Sequence, residues 1–159
     1  MSKHRITDGD IHRAKANISR RASGSYLSWC DDLPHHEHND CVRIAYEWLD
    51  AQKRTVKQVK DYTTLKHCVE QWGGRYVSTT DVILAAFMLG LEGDYPCFNL
   101  SKRKRVPAFS RLIGIAEANK HRDTAECKSL IVRECWRGKQ ELTTPYKSWE
   151  DYGDSPFNK

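Results

Sequence analysis

The residues with the clearest potential for chemistry stand in one short segment, 30–41 (CDDLPHHEHNDC), where thiols and imidazoles come close together. The candidate ligands are Cys30, His35, His36, His38 and Cys41. Thiolate and imidazole groups bind zinc, but tetrahedral zinc sites normally take pairs of ligands from two well-separated segments. Because all five ligands stand in one segment, we expect a polar loop before a helix and no cofactor. A zinc-binding loop is the alternative.

Signatures of an enzyme are missing from the sequence. It contains no CxxC pair and no P-loop, GxGxxG, HExxH or GxSxG motif. Cys41 and Cys68 fall on the apolar faces of predicted helices, where an inert buried thiol is the common case. We therefore expect a protein that carries out no catalytic step.

Charge is segregated along the chain, although the 26 Lys+Arg and 21 Asp+Glu give a net charge of only +5. Residues 1–27 carry six basic and two acidic side chains, and residues 28–51 carry one basic and six acidic ones. Residues 52–66 then hold five basic and one acidic side chain, and residues 101–140 hold eleven basic and four acidic ones. Such clustering favours a polyanionic partner, and a solvated surface on which the charges fall in groups is the alternative.

The composition indicates one folded domain with extensions. Of the 159 residues 39% are hydrophobic, which is enough for a core. The longest uncharged apolar stretch, 82–91, is half of the ~20 residues that span a membrane, and the first residues are charged where a signal peptide is apolar. We therefore expect a cytoplasmic protein whose six cysteines are reduced.

Hydrophobic periodicity predicts a mainly α fold. Asn39 is the expected N-cap of a helix with an apolar stripe, and Ser78 and Asp81 form a capping box for another. The run 82–91 is apolar almost all round, so we expect a helix buried between two subunits. The helices are predicted over residues 10–21, 39–52, 62–72 (ended by Gly73 and Gly74), from 79 onward, from Pro107 through Ala116, and after Asp123.

One segment of the chain, 54–60 (RTVKQVK), fits either a short exposed strand or the start of the next helix. Val56 and Val59 are three positions apart and cannot share a face of a strand. Either register therefore leaves a valine pointing outward or a lysine pointing inward.

About forty residues, from 54 to 93, resemble the ribbon-helix-helix family of DNA-binding proteins, and within it the methionine-repressor type. The likeness rests on the order of RTVKQVK, DYTTLKHCVEQW, GGRYV and STTDVILAAF. It implies that two chains pair their strands into an antiparallel ribbon, which enters the major groove of DNA, while the helices of both chains interlock as a homodimer.

The resemblance also implies which residues touch DNA. Its strand contacts are Arg54, Thr55, Lys57, Gln58 and Lys60, and its phosphate contacts at the start of the second helix are Ser78, Thr79 and Thr80. For these last three residues plain helix capping is the structural alternative. Further contacts to the DNA backbone are expected from Arg20, Arg21, Lys102, Arg103, Lys104 and Arg105.

The sequence therefore predicts a basic arm over 1–27, a helical domain over 28–142 with a ribbon-helix-helix core at 54–93, and a loosely ordered tail over 143–159. The expected function is sequence-specific binding of double-stranded DNA by a dimeric bacterial or plasmid transcription regulator. The alternative is a non-enzymatic phage or plasmid factor that inhibits a host protein through the acidic segment 31–50, with or without a zinc-binding loop at 30–41.

Overall fold

The structure is a computed structural model that describes residues 6–21 and 37–122, with only the backbone of residues 19–21. Within these ranges the architecture is mainly helical, as predicted, with four α-helices, one two-stranded antiparallel sheet and one 3-10 turn. The elements are α1 (Asp8–Arg21), α2 (Asn39–Asp50), α3 (Leu65–Gly73), α4 (Thr79–Met88), β1 (Gly93–Asp94), β2 (Cys97–Phe98) and a 3-10 helix (Phe109–Leu112).

Helix α2 begins one residue earlier than the sequence predicts. The Nδ1 atom of His38 accepts the backbone N–H of Asp40 at 3.0 Å, so His38 is the N-cap and Asn39 is the first helical residue. The side chain of Asn39 instead donates to the carboxylate of Asp8, at 3.0 Å, and so ties α2 to the start of α1.

The boundaries of α3 and α4 follow local hydrogen bonds. The Ser78–Asp81 capping box is confirmed: Ser78 Oγ accepts the Asp81 N–H at 3.1 Å, and the Asp81 carboxylate accepts the Ser78 N–H at 2.9 Å. Gly74 caps α3 with φ +60°, as the sequence predicts. Helix α3 starts at Leu65 and not at 62, because the Asp61 carboxylate accepts both the N–H and the hydroxyl of Thr63 and holds a turn there.

Helix α4 lies at the centre of the core and contacts α1, α2 and α3. The residues from Val82 to Ala86 are all buried within the single chain. The expectation that a second subunit must cover this helix is therefore wrong. The cover comes from α1, which packs as part of the core, and from the predicted apolar stripe of α2; the buried residues are Ile11, Ala14 and Ile18 of α1 and Cys41, Ile44, Ala45 and Trp48 of α2.

The helix predicted to open at Pro107 is wrong, because only the 3-10 turn forms there. The backbone leaves helical geometry on both sides of the turn, and Gly114 and Asn119 have φ of +81° and +60°. The Trp72 indole donates to the carbonyl of Pro107 at 2.9 Å, and this buried contact fixes the segment against α3. The helix predicted after Asp123 and the tail over 143–159 lie outside the described residues. No helix in the described ranges has the length and apolar character to cross a bilayer.

Two helical glycines give a test of this packing. A Cβ on Gly73 would lie 2.4 Å from Cγ2 of Ile44, whereas a Cβ on Gly9 would meet its nearest atom at an ordinary 3.6 Å. We expect Gly73→Ala to lower the free energy of unfolding by about 1–3 kcal/mol, since α2 and α3 must separate. The control Gly9→Ala should raise it by up to about 1 kcal/mol. Urea titration followed by circular dichroism measures both, and equal effects would contradict the close α2–α3 contact.

Candidate nucleic-acid interface

Two distant segments of the chain pair beside α4. The Ser101 N–H donates to the carbonyl of Lys53 at 2.8 Å, and the Thr55 N–H donates to the carbonyl of Asn99 at 2.9 Å. This places Arg54 opposite Leu100 as an isolated antiparallel bridge. Extended pairing covers only residues 53–55, and the backbone bends at 56–57. The strand predicted over 54–60 is therefore much shorter, and its partner is this chain's own segment 99–101.

Side chains hold both ends of segment 52–61 against residues 104 and 105. The buried Gln52 amide donates to the Arg105 carbonyl at 2.9 Å and accepts the Arg105 N–H at 2.8 Å. At the other end, the Lys104 ammonium lies 2.7 Å from the carboxylate of Asp61. The fold thus brings together two basic stretches that are more than forty residues apart in the sequence.

The exposed basic side chains of these two stretches stand on segments that pair with each other, and we call this set the basic surface. It consists of Lys53, Lys57, Lys60, Lys102, Arg103 and Arg105. All six residues are exposed, and none of their side chains has an ion pair within the described part of the chain. Exposed charges without a counter-charge attract an anionic partner from solution.

Three of the predicted DNA contacts in the same region already have roles in the fold. The Arg54 guanidinium donates to the carbonyl of Leu89, at 2.8 Å, where it caps the C-terminal end of α4. The Thr55 hydroxyl donates to the carbonyl of Lys57 at 2.7 Å, and Lys104 is bound to Asp61. These side chains shape the basic surface, and the exposed Gln58 stands beside its lysines.

The predicted phosphate contacts at the start of α4 are not brought to this surface. Arg54 reaches the C-terminal end of α4, and the N-terminal end lies about 15 Å away along the helix axis. Ser78 and Thr80 are buried, with 4% and 6% of their surface exposed, and Thr79 is half-buried. The fully buried carboxylate of Asp81 already occupies the anion position at this helix end. The side chains of Arg20 and Arg21 lie outside what the structure describes.

The acidic residues of segment 31–50 that the structure describes pair with cations of the same chain. Arg111, only 6% exposed, reaches both Glu47 at 2.9 Å and Asp50 at 3.0 Å. Asp40 lies 2.6 Å from Arg43, and Glu37 lies 3.7 Å from Arg75. The four acidic residues from 37 to 50 therefore face cations of the same chain, which leaves little free negative charge for a protein partner. Asp31 and Asp32 lie outside the described residues.

The two described members of the Cys/His segment are engaged in the structure. The Cys41 thiol donates to the carbonyl of Tyr76 at 3.4 Å, and burial raises its pKa to about 12. His38 caps α2. Cys30, His35 and His36 lie outside the described residues, and among the described ones no three His, Cys, Asp or Glu side chains are placed to hold a metal.

An open cavity of about 580 Å³ lies at the C-terminal end of α3. The Glu70 carboxylate in its wall accepts hydrogen bonds from Lys66 at 2.7 Å and from the N–H of Val77 at 3.2 Å. The Arg122 guanidinium donates to the carbonyls of Gln71 and Trp72. These charged groups cap the helix and pair with one another, so the cavity has the character of a structural crevice.

Three apolar side chains of the candidate interface were not predicted as part of it. Val56, Tyr62 and Val106 are 92%, 77% and 75% exposed, beside the basic residues. The spacing of Val56 and Val59 predicted that either a valine would point outward or a lysine inward, and Val56 is the valine that points outward. Tyr62 escaped notice because it was assigned to the first turn of α3.

Comparison with known proteins finds no match for this chain, whether among protein-family models, curated proteins or solved structures. The resemblance to ribbon-helix-helix proteins therefore stays a prediction.

The contact between Asp61 and Lys104 predicts a pH dependence. The Asp61 carboxylate accepts a hydrogen bond from the Lys104 ammonium, and this contact lowers the pKa of Asp61 to about 2. Because the pKa of Asp61 is lower in the folded than in the unfolded protein, its ionised carboxylate stabilises the fold at any pH above the unfolded-state pKa, about 4. This stabilisation is lost as the pH falls from about 4 towards 2. We expect Asp61→Asn to cost about 1–2 kcal/mol at neutral pH, with the difference vanishing in that acidic window. Urea titrations across pH measure it. The control Asp94→Asn removes an exposed carboxylate without an ion pair in the described ranges and should change the free energy of unfolding by less than about 0.5 kcal/mol at neutral pH.

Substitution of Arg111 tests whether the acidic residues of segment 37–50 pair with cations inside the fold. Arg111→Ala leaves Glu47 and Asp50 without their shared cation, so we expect a loss of about 3 kcal/mol or more in the free energy of unfolding. The control Arg13→Ala removes a side chain that is 72% exposed and should cost less than about 1 kcal/mol. A chain that tolerates Arg111→Ala as well as Arg13→Ala would contradict the buried charge cluster.

Proposed function

We propose that this protein binds DNA through the basic surface. The observation that carries the proposal is the convergence of six exposed cations, without ion pairs in the described ranges, on two segments that hydrogen bond to each other. Glu92 and Asp94 are the exposed carboxylates of the neighbouring segment that have no ion pair in the described ranges, so six cations face two carboxylates and the unbalanced charge of this region is positive. Phosphates of a nucleic acid are anions that match several exposed lysines and arginines on neighbouring segments.

The form that the sequence analysis favours is a homodimeric, sequence-specific transcription regulator on double-stranded DNA. The paired segment offers an edge for such a dimer. In a pair that is not hydrogen bonded, such as Arg54 and Leu100, the N–H and C=O of each residue point away from the partner. A second chain could add its own residues 53–55 along this free edge, which would complete a ribbon of the ribbon-helix-helix kind.

Base reading within this proposal belongs to the second half of segment 54–60, residues 57–60. Lys57, Gln58 and Lys60 are exposed there, whereas Arg54 and Thr55 hold the fold. The amide of Gln58 can donate to and accept from adenine in the major groove, and Lys57 and Lys60 can reach guanine or phosphate. The alternative, inhibition of a host protein through the acidic segment, has less support because its described acidic residues are paired internally.

Salt titration tests the proposal. Binding of a fluorescent random-sequence duplex should weaken steeply with salt, with a slope of log affinity against log salt of about −3 to −5 if most of the six cations contact phosphates. The double variant Lys57→Ala with Lys60→Ala should weaken binding at least about tenfold and make the slope shallower by about 2.

A matched control shows whether binding depends on the basic surface or only on the net charge of the protein. Arg13→Ala with Lys120→Ala removes the same number of charges outside the basic surface, from side chains that are 72% and 58% exposed. This control should keep nearly the wild-type affinity. Equal losses in both double variants would contradict a defined site, and no binding at low salt would refute DNA binding altogether.

A further inference from the structure

We propose that Tyr62 is a stacking platform for an unpaired base, so that the basic surface prefers DNA with a single-stranded stretch beside its duplex. The inference rests on the proposed DNA binding and names the ligand class more closely. It is carried by the exposure of the ring, by the anchoring of the backbone around it and by the cations beside it.

The ring of Tyr62 is the most exposed aromatic side chain that the structure describes. Its side chain is 77% exposed and has neither a ring contact nor a hydrogen bond within the described ranges. The other exposed tyrosine differs, because Tyr76 is 46% exposed and the ammonium of Lys66 lies over its ring, 4.5 Å from the centroid. Tyr95 packs its ring against Phe98 at 6.3 Å. Most of the Tyr62 ring surface is therefore available to a partner.

The backbone on both sides of this exposed ring is fixed. The carboxylate of Asp61 accepts the Thr63 N–H at 3.1 Å and the Thr63 hydroxyl at 2.6 Å, and it also binds the Lys104 ammonium at 2.7 Å. The Cys97 thiol donates to the carbonyl of Asp61 at 3.5 Å. A ring presented from an anchored turn loses little conformational freedom when it binds, which is typical of aromatic anchors in binding sites.

The position of the ring suits a nucleotide. Lys60 stands two residues before Tyr62, within about 7 Å along the chain, and Lys104 is held beside Asp61. The ring therefore lies near the exposed Lys60, whose ammonium can hold a phosphate beside a stacked base, while Lys104 is neutralised by Asp61 and fixes the turn. This combination of a positively charged track with exposed aromatic rings is the usual arrangement for binding single-stranded nucleic acid.

The chemistry distinguishes unpaired bases from paired ones. In a closed duplex both faces of each base are covered by its neighbours, so the phenol ring finds no free face. An unpaired base offers its whole face, and stacking on an aromatic side chain contributes about 5- to 100-fold in affinity per base. Phosphate contacts are shared by both forms of DNA, so Tyr62 decides between them.

Two DNA ligands and three variants test this inference. The first ligand is a duplex whose two ends are each closed by a non-nucleotide linker, so that it has no unpaired base. The second is the same duplex with a short single-stranded extension. Fluorescence anisotropy at low salt measures the affinity of the protein for each. We expect wild-type protein to bind the extended duplex at least about fivefold more tightly. Tyr62→Ala should remove this preference and leave binding of the closed duplex unchanged, Tyr62→Phe should keep it, and Tyr76→Ala is the control.

The possible outcomes separate this inference from the proposed function. If wild-type protein binds both ligands equally, or if Tyr62→Ala weakens both by the same factor, the stacking role is wrong while DNA binding stands. If neither ligand is bound, both proposals fail. If Tyr62→Phe loses the preference as fully as Tyr62→Ala does, the hydroxyl and not the ring face is the recognition group, and stacking is again contradicted.

Discussion

The pairing of residues 53–55 with residues 99–101 is the contact on which the candidate interface depends. These segments are more than forty residues apart in the chain, and two backbone hydrogen bonds join them directly. The amide of Gln52 and the ion pair of Asp61 with Lys104 secure the two ends. Without this pairing the lysines of one segment and the arginines of the other would lie in separate loops, and no concentrated positive charge would result.

The fold divides its charges into those used inside and those left facing solvent. Buried or half-buried cations such as Arg111 and Lys104 are matched by carboxylates or carbonyls, because an unpaired buried charge is costly. The acidic segment supplies much of that matching for the core. The cations of the basic surface have no such partners in the described ranges, and the proposed DNA binding rests on this imbalance.

Local signals in the sequence were enough to predict the helical part of the fold. The Ser78–Asp81 capping box, the Gly74 cap and the apolar stripe of α2 each depend on residues within about two turns, so spacing reveals them. The segments around 54 and 107 were predicted less well, because their structure follows distant contacts such as Trp72 with Pro107. Sequence alone found most of the cations of the interface, but their convergence and the exposed Tyr62 needed the tertiary structure.

The central claim is that one chain builds the basic surface alone. It is tested most directly by asking whether residues 53–55 pair with residues 99–101 of the same chain or of a second chain. In a non-hydrogen-bonded antiparallel pair the two Cα atoms are about 4.5 Å apart, which gives a strong nuclear Overhauser effect between their Hα atoms. Isotope-filtered NMR on a mixture of labelled and unlabelled protein should show the effect between Arg54 and Leu100 within one chain. An effect seen only between chains, or none between these two assigned residues, would contradict the account.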